Sequence, residues 1–130
     1  MPTVRRTFPG QPDQIFRARH FTYHYLRHTP TVAEVCLMVS EVTTNAVQHS
    51  RSGLPGGEFT LTLAVEDAQV RVEVQDEGST VGAVRHVEEA DPSEAEHGRG
   101  LAVVEALADK YGSERPNVVW FELAWSASTR

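Results

Sequence analysis

Two neighbouring stretches in the middle of the chain alternate between large apolar side chains and polar or small ones. Phe59, Leu61, Leu63 and Val65 are interleaved with Thr60, Thr62 and Ala64, and Val70, Val72 and Val74 with Arg71, Glu73 and Gln75. Successive side chains of an extended backbone point to opposite faces, so this period predicts two strands, each with one apolar face. Only Glu66-Asp67-Ala68 separates them. That is too short for a parallel crossover, so the pair is a hairpin. An antiparallel sheet of this kind has one wet face and one that another layer must cover.

Helices supply the cover. Pro12 to about His28 reads as a helix with Ile15, Phe16, Ala18, Tyr23 and Leu26 as its apolar mass, stopped by Pro30. Thr31 followed by Glu34 predicts a capping box, from which Val32, Val35, Val39, Val42 and Ala46 repeat at helical spacing to about Gln48. Residues 3–8 form a first strand closed by Pro9-Gly10, and Gly53, Pro55, Gly56 and Gly57 mark a turn. Residues 77–97 form a long polar loop. Gly98-Arg99-Gly100 opens a third helix carrying Leu101, Val104, Leu107 and Ala108 and ending near Tyr111-Gly112, and Val118 to Trp125 is the last strand. This order predicts an α+β fold, a two-layer sandwich of a mixed, mostly antiparallel sheet with helices on one face. At 130 residues the chain reads as a single domain over residues 1–130.

Charge narrows the function. Twelve basic against eighteen acidic residues give a net charge of −6, which disfavours direct nucleic-acid binding, since that needs a basic stripe. No apolar run is long enough to span a membrane, and the residues after Met1 lack the apolar core of a signal peptide. Cys36 is the single cysteine, which excludes an internal disulfide. These features predict a cytoplasmic protein.

Three motifs carry chemistry. Glu41, Asn45 and His49 recur at i, i+4 and i+8 and so share one face of the second helix. A carboxylate one turn before a carboxamide suits a general base beside a metal ligand, or simply a solvated polar face. Asp76 continues the parity of Val70, Val72 and Val74, so it sits at the core side of a strand end, two residues before Gly78. Its hydrogen-bond donor is either a ligand's amino group or the backbone of the turn at Gly78. Gly98-Arg99-Gly100 before a helix lets backbone N–H groups approach an anion. It is not a Rossmann fingerprint, because Val103 replaces the third glycine, nor a Walker loop, because Lys110 lacks the glycines before it.

Together, and in this order, the three motifs resemble the Bergerat-fold nucleotide site of the GHKL superfamily of ATPases and kinases. More narrowly, Ser40-Glu41-Val42-Thr43-Thr44-Asn45-Ala46-Val47-Gln48-His49, the run from Gly98 to Gly112 and Val119-Trp120-Phe121-Glu122-Leu123 look like the small anti-sigma-factor serine/threonine kinases. The resemblance covers about residue 7 to residue 125. It implies ATP and Mg²⁺ as cofactors, with Asn45 holding the metal and His49 within the same nucleotide-binding motif. Glu41 is implied as the base toward the attacking hydroxyl. Asp76 is implied as the acceptor for the exocyclic amino group of adenine, and Gly78 as room for the base. Gly98, Arg99, Gly100 and Leu101 are implied around the phosphates, with residues 79–97 as a lid. The implied partners are a sigma factor, an anti-anti-sigma (antagonist) protein and a second copy of the chain as a homodimer.

Two positions depart from the family pattern. Asn117-Val118 stand where a Lys-Thr pair often precedes the last strand, and Ser79-Thr80 where Pro-Gly is frequent. The reading is therefore a regulatory kinase that sequesters a sigma factor and phosphorylates an antagonist. The alternatives are a non-catalytic, nucleotide-dependent binding module and a stand-alone ATPase. Outside the motifs, His20, His24 and His28 read as an exposed or partner-facing stripe on the first helix, and Cys36 as a buried inert thiol.

Overall fold

The computed structural model describes residues 3–78, 101–114 and 117–125. The elements run β1 (Thr3–Pro9), α1 (Pro12–Leu26), α2 (Val32–His49), a 3₁₀ turn (Arg51–Gly53), β2 (Glu58–Val65), β3 (Gln69–Gln75), α3 (Leu101–Leu107), β4 (Lys110–Glu114) and β5 (Val118–Ala124). The sheet order is β1-β2-β3-β5-β4. Every described pairing is antiparallel, so over these residues the sheet is wholly, not mostly, antiparallel. The hairpin closes with the Glu66 N–H donating to the Gln69 carbonyl at 2.8 Å.

Alternation decides which face is covered. In β2 and β3 every second residue is buried, and the register sets Leu63 against Val72 and Val72 against Phe121. These side chains form one cluster with Leu26 of α1, Val35, Met38, Val39 and Val42 of α2 and Val104 of α3. The helices thus pack on one face of the sheet, as expected. Phe8 of β1 joins the cluster by stacking on its register partner Phe59, with centroids 5.4 Å apart. The other face carries Arg71, paired with Glu73 at 3.0 Å and with Glu114 and Glu122 at 3.1 Å, its guanidinium 4.2 Å from the Trp120 ring centroid.

Three expectations need correction. The Thr31–Glu34 capping box does not form. Thr31 is the N-cap but has ψ 16 and makes no side-chain cap bond, because this ψ is far from the extended value that aims an N-cap hydroxyl at the first turn. Its Oγ1 is buried with no partner among the described residues. The first helix ends at Leu26, where both the N–H and the hydroxyl of Thr29 donate to the Leu26 carbonyl. The third helix ends at Leu107, and Lys110–Glu114 is a strand. There the Asp109 N–H donates to the Glu122 carbonyl at 2.9 Å, and Gly112 lies so close to Trp120 that a Cβ would meet its ring at 3.2 Å.

The glycines after β1 and before β2 permit a close backbone approach. The Gly10 N–H donates to the Gly57 carbonyl at 2.9 Å, and a Cβ on Gly10 would stand 1.7 Å from the Ser52 carbonyl oxygen. Gly56 differs, with φ +83 and nothing within 4 Å of its Cβ position. Gly10→Ala should therefore cost about 3 kcal/mol, the upper end for overpacking. Gly56→Ala should cost about 1 kcal/mol, the price of left-handed backbone alone. Urea denaturation of both variants checks this, and equal losses would contradict it.

Candidate functional site

Helix α2 buries Val35, Met38, Val39, Val42, Thr43 and Ala46. Beside that stripe Glu41 and Asn45 are half-buried, whereas His49 at the helix end is exposed. Two hydroxyls on this helix are satisfied internally. The Thr43 hydroxyl donates to the Val39 carbonyl at 2.7 Å and the Ser40 hydroxyl to the Cys36 carbonyl at 3.1 Å. Asn45 is different, because its Oδ1 is buried without a hydrogen-bond partner among the described residues. Leaving an acceptor so costs about 1–3 kcal/mol. A hard amide oxygen held ready in this way fits a Mg²⁺ ligand.

The chain after α2 links this helix to the end of β3. The Ser50 hydroxyl donates to the Ala46 carbonyl at 2.7 Å and accepts the Ser52 N–H at 3.0 Å. The fully buried Ser52 hydroxyl donates to the Glu58 carbonyl at 2.6 Å and accepts the Glu77 N–H at 3.1 Å. The Arg51 N–H donates to the Gly78 carbonyl at 2.7 Å. The last turn of α2, from Ala46 one residue past Asn45, is thus hydrogen-bonded through a single short turn to the segment that holds Asp76.

Asp76 is half-buried just beyond β3, continuing the side of the buried Val70, Val72 and Val74 as its parity predicts. Of the two donors left open by the sequence, the structure contains the local one. The Gly78 N–H donates to Asp76 Oδ1 at 2.7 Å, with Gly78 at φ +88. This bond orients the carboxylate on the turn. Asn117 also meets this residue. The Asp76 N–H donates to the Asn117 carbonyl at 2.9 Å, and Asn117 Nδ2 donates to the Asp76 carbonyl at 2.8 Å.

The turn at residues 50–53 thus hydrogen-bonds the last turn of α2, the helix that carries Glu41, Asn45 and the exposed His49, to the segment of Asp76 and Gly78. Leu101 begins α3 half-buried against the core. Gly98, Arg99, Gly100 and the loop at 79–97 lie outside the described residues. Sequence reasoning missed Ser50, Ser52 and Asn117 as parts of the framework. A serine directly after a helical run was the available signal for Ser50. None was available for Asn117, whose role comes from strand register.

Elsewhere, His20, His24 and His28 are all exposed. His20 and His24 line a separate groove of about 700 Å³ with Arg6, Phe16 and Phe21. Cys36 is half-buried, not buried. Its thiol donates to the Arg19 carbonyl at 3.7 Å, and burial pushes its pKa up against the opposing effect of the Arg19 charge, which keeps it protonated and inert. Among the described residues no helix is long and apolar enough to cross a membrane.

Residues 8–123 match the family model of the histidine kinase-like ATPase domain. Among curated proteins, an anti-sigma F factor of Geobacillus stearothermophilus is 27% identical over 86 residues, covering 63% of this chain and 59% of the relative. An anti-sigma F factor of Geobacillus kaustophilus (strain HTA426) is 26% identical over 83 residues, covering 61% and 57%. The chain thus spans less than two thirds of the length of either relative.

The Ser52 hydroxyl generates a prediction. Ser52→Ala strands the Glu77 N–H and the Glu58 carbonyl and should cost about 1–3 kcal/mol. Amide hydrogen exchange should show Glu77 losing more protection than Leu63 at the sheet centre. Equal losses at the two amides would show that the hydroxyl does not hold the turn.

Proposed function

The chain belongs to the histidine kinase-like ATPase domain family, and from that premise we propose that it binds ATP with Mg²⁺ and acts as an anti-sigma-factor protein kinase. The observation that carries the reading is the Oδ1 of Asn45, buried with no hydrogen-bond partner among the described residues, on a helix that also carries Glu41 and whose last turn is joined through the 3₁₀ turn to the Asp76 segment.

In this reading Asp76 accepts the exocyclic amino group of adenine. Guanine carries a carbonyl at that position and meets the carboxylate as a second acceptor, so it is rejected. Gly78 would leave room beside the base, since nothing among the described residues lies within 4 Å of where a Cβ would stand. Asn45 would hold Mg²⁺, which when bound neutralises phosphate charge. Glu41, one turn earlier, takes the proton of a serine or threonine hydroxyl as that oxygen attacks the γ-phosphorus and ADP departs. Gly98, Arg99, Gly100 and Leu101 are proposed to face the phosphates, and residues 79–97 to cover them. His49 is assigned to the exposed edge of the same site.

The name of the two relatives, anti-sigma F factor, supports a sigma factor as the protein held, and an antagonist protein is proposed as the phosphate acceptor. Exposed Phe16, Tyr23 and Leu37 give α1 and α2 apolar surface suited to a protein partner, including a second copy of the chain.

Calorimetry and phosphate transfer test the roles separately. Wild type should bind ATP well above GTP and more tightly with Mg²⁺ than without. Asn45→Ala should lose Mg²⁺-dependent affinity. Asp76→Asn should lose about 1–3 kcal/mol of ATP binding, the cost of a mismatched buried hydrogen bond. Glu41→Ala should keep affinity and lose phosphate transfer by about 100-fold or more, the scale of a general base. ATP binding without transfer or hydrolysis would favour the binding-module reading. Hydrolysis without transfer would favour the ATPase, and equal affinity for ATP and GTP would overturn the base site.

A further inference from the structure

The last regular pair between β3 and β5 sets Gln75 against Val118, so one step further along the register Asp76 faces Asn117. At that step the ladder continues in altered form. The Asp76 N–H donates to the Asn117 carbonyl as strand pairing requires, but the donor to the Asp76 carbonyl is Asn117 Nδ2, a side-chain amide. Both main-chain groups of Asp76 are thereby fixed by one residue. On the far side, the Gly78 carbonyl is held by the Arg51 N–H and the Glu77 N–H by Ser52. The Asp76 carboxylate itself is oriented by the Gly78 N–H.

We infer that Asn117 is a positioning residue for nucleotide specificity: its side-chain amide fixes the backbone of Asp76 so that the carboxylate meets the base in one orientation. The inference rests on the reading of Asp76 as the residue that recognises adenine. The geometry is selective about the side chain. Serine is too short to close the second bond, and aspartate, of the same shape, would set an acceptor against the Asp76 carbonyl. A misplaced carboxylate loses the hydrogen bond to an amino group and the penalty against a carbonyl together. Discrimination between bases should therefore fall further than nucleotide affinity in general.

A double-mutant cycle read by calorimetry with ATP and GTP tests this, with thermal melts alongside. Asn117→Ala should weaken ATP binding about tenfold, the scale of one net hydrogen bond, and narrow the ATP-to-GTP ratio by more than that, because GTP is relieved of its penalty. Asn117→Asp should do the same and carries the test if the alanine variant does not fold. In an Asp76→Asn background, Asn117→Ala should produce no further loss, because the residue it positions no longer reads the base. A purely structural Asn117 gives additive losses, equal for ATP and GTP, and overturns the inference. If Asp76→Asn abolishes base preference while both Asn117 variants keep it, the inference alone fails. If wild type has no preference for ATP, the reading of Asp76 fails and the inference falls with it.

Discussion

The hydroxyl of Ser52 is the joint on which the arrangement depends. It is fully buried and acts in both directions, donating to Glu58 at the start of β2 and accepting from Glu77 beyond the end of β3. A buried hydroxyl with both functions satisfied admits few alternative placements, because losing either bond strands a polar group. The backbone crowds in around it. Gly10, Gly53 and Gly57 each approach main-chain atoms closer than a Cβ allows, Gly10 and Gly57 against Ser52 and Gly53 against Val47. Helix α2, the first strand's exit and the hairpin are therefore bound to one short turn.

The consequence is a site assembled from elements far apart in sequence. Glu41 and Asn45 come from a helix whose orientation is set by apolar packing on the sheet. Asp76 and Gly78 come from a strand end set by the register of β2, β3 and β5. The polar bridge at residues 50–52 joins the two, so their relative placement does not rest on side-chain packing alone. In the proposed nucleotide site this bridge would keep the base-reading and metal-holding groups in step while the packing around them varies.

Much of this was legible in the sequence. Alternation gave β2 and β3 because one face of each is buried and the other wet, and helical spacing gave α2 because its stripe packs on that buried face. The place of Glu41 and Asn45 on one helix and of Asp76 just past a strand end was legible because spacing and parity set it without tertiary information. β4 was not. Lys110-Tyr111-Gly112-Ser113-Glu114 is an edge strand with little buried area and no apolar alternation, and Gly112 marks a close approach to Trp120, not a helix end. The Thr31 cap was misread because the motif specifies residue types but not the backbone angle after Pro30. Asn117 was invisible as a partner of Asp76, since the two are brought together only by the antiparallel register of β3 and β5.

A backbone-amide NMR titration with Mg²⁺–ATP tests the central claim most directly, because it reports where nucleotide binds without assuming any residue's role. The account predicts that the amides of Asn45, Asp76, Gly78 and Asn117 shift most, with those of Phe16 and Tyr23 on the exposed face of α1 left in place. Shifts centred on α1, or none at the end of β3, would contradict it.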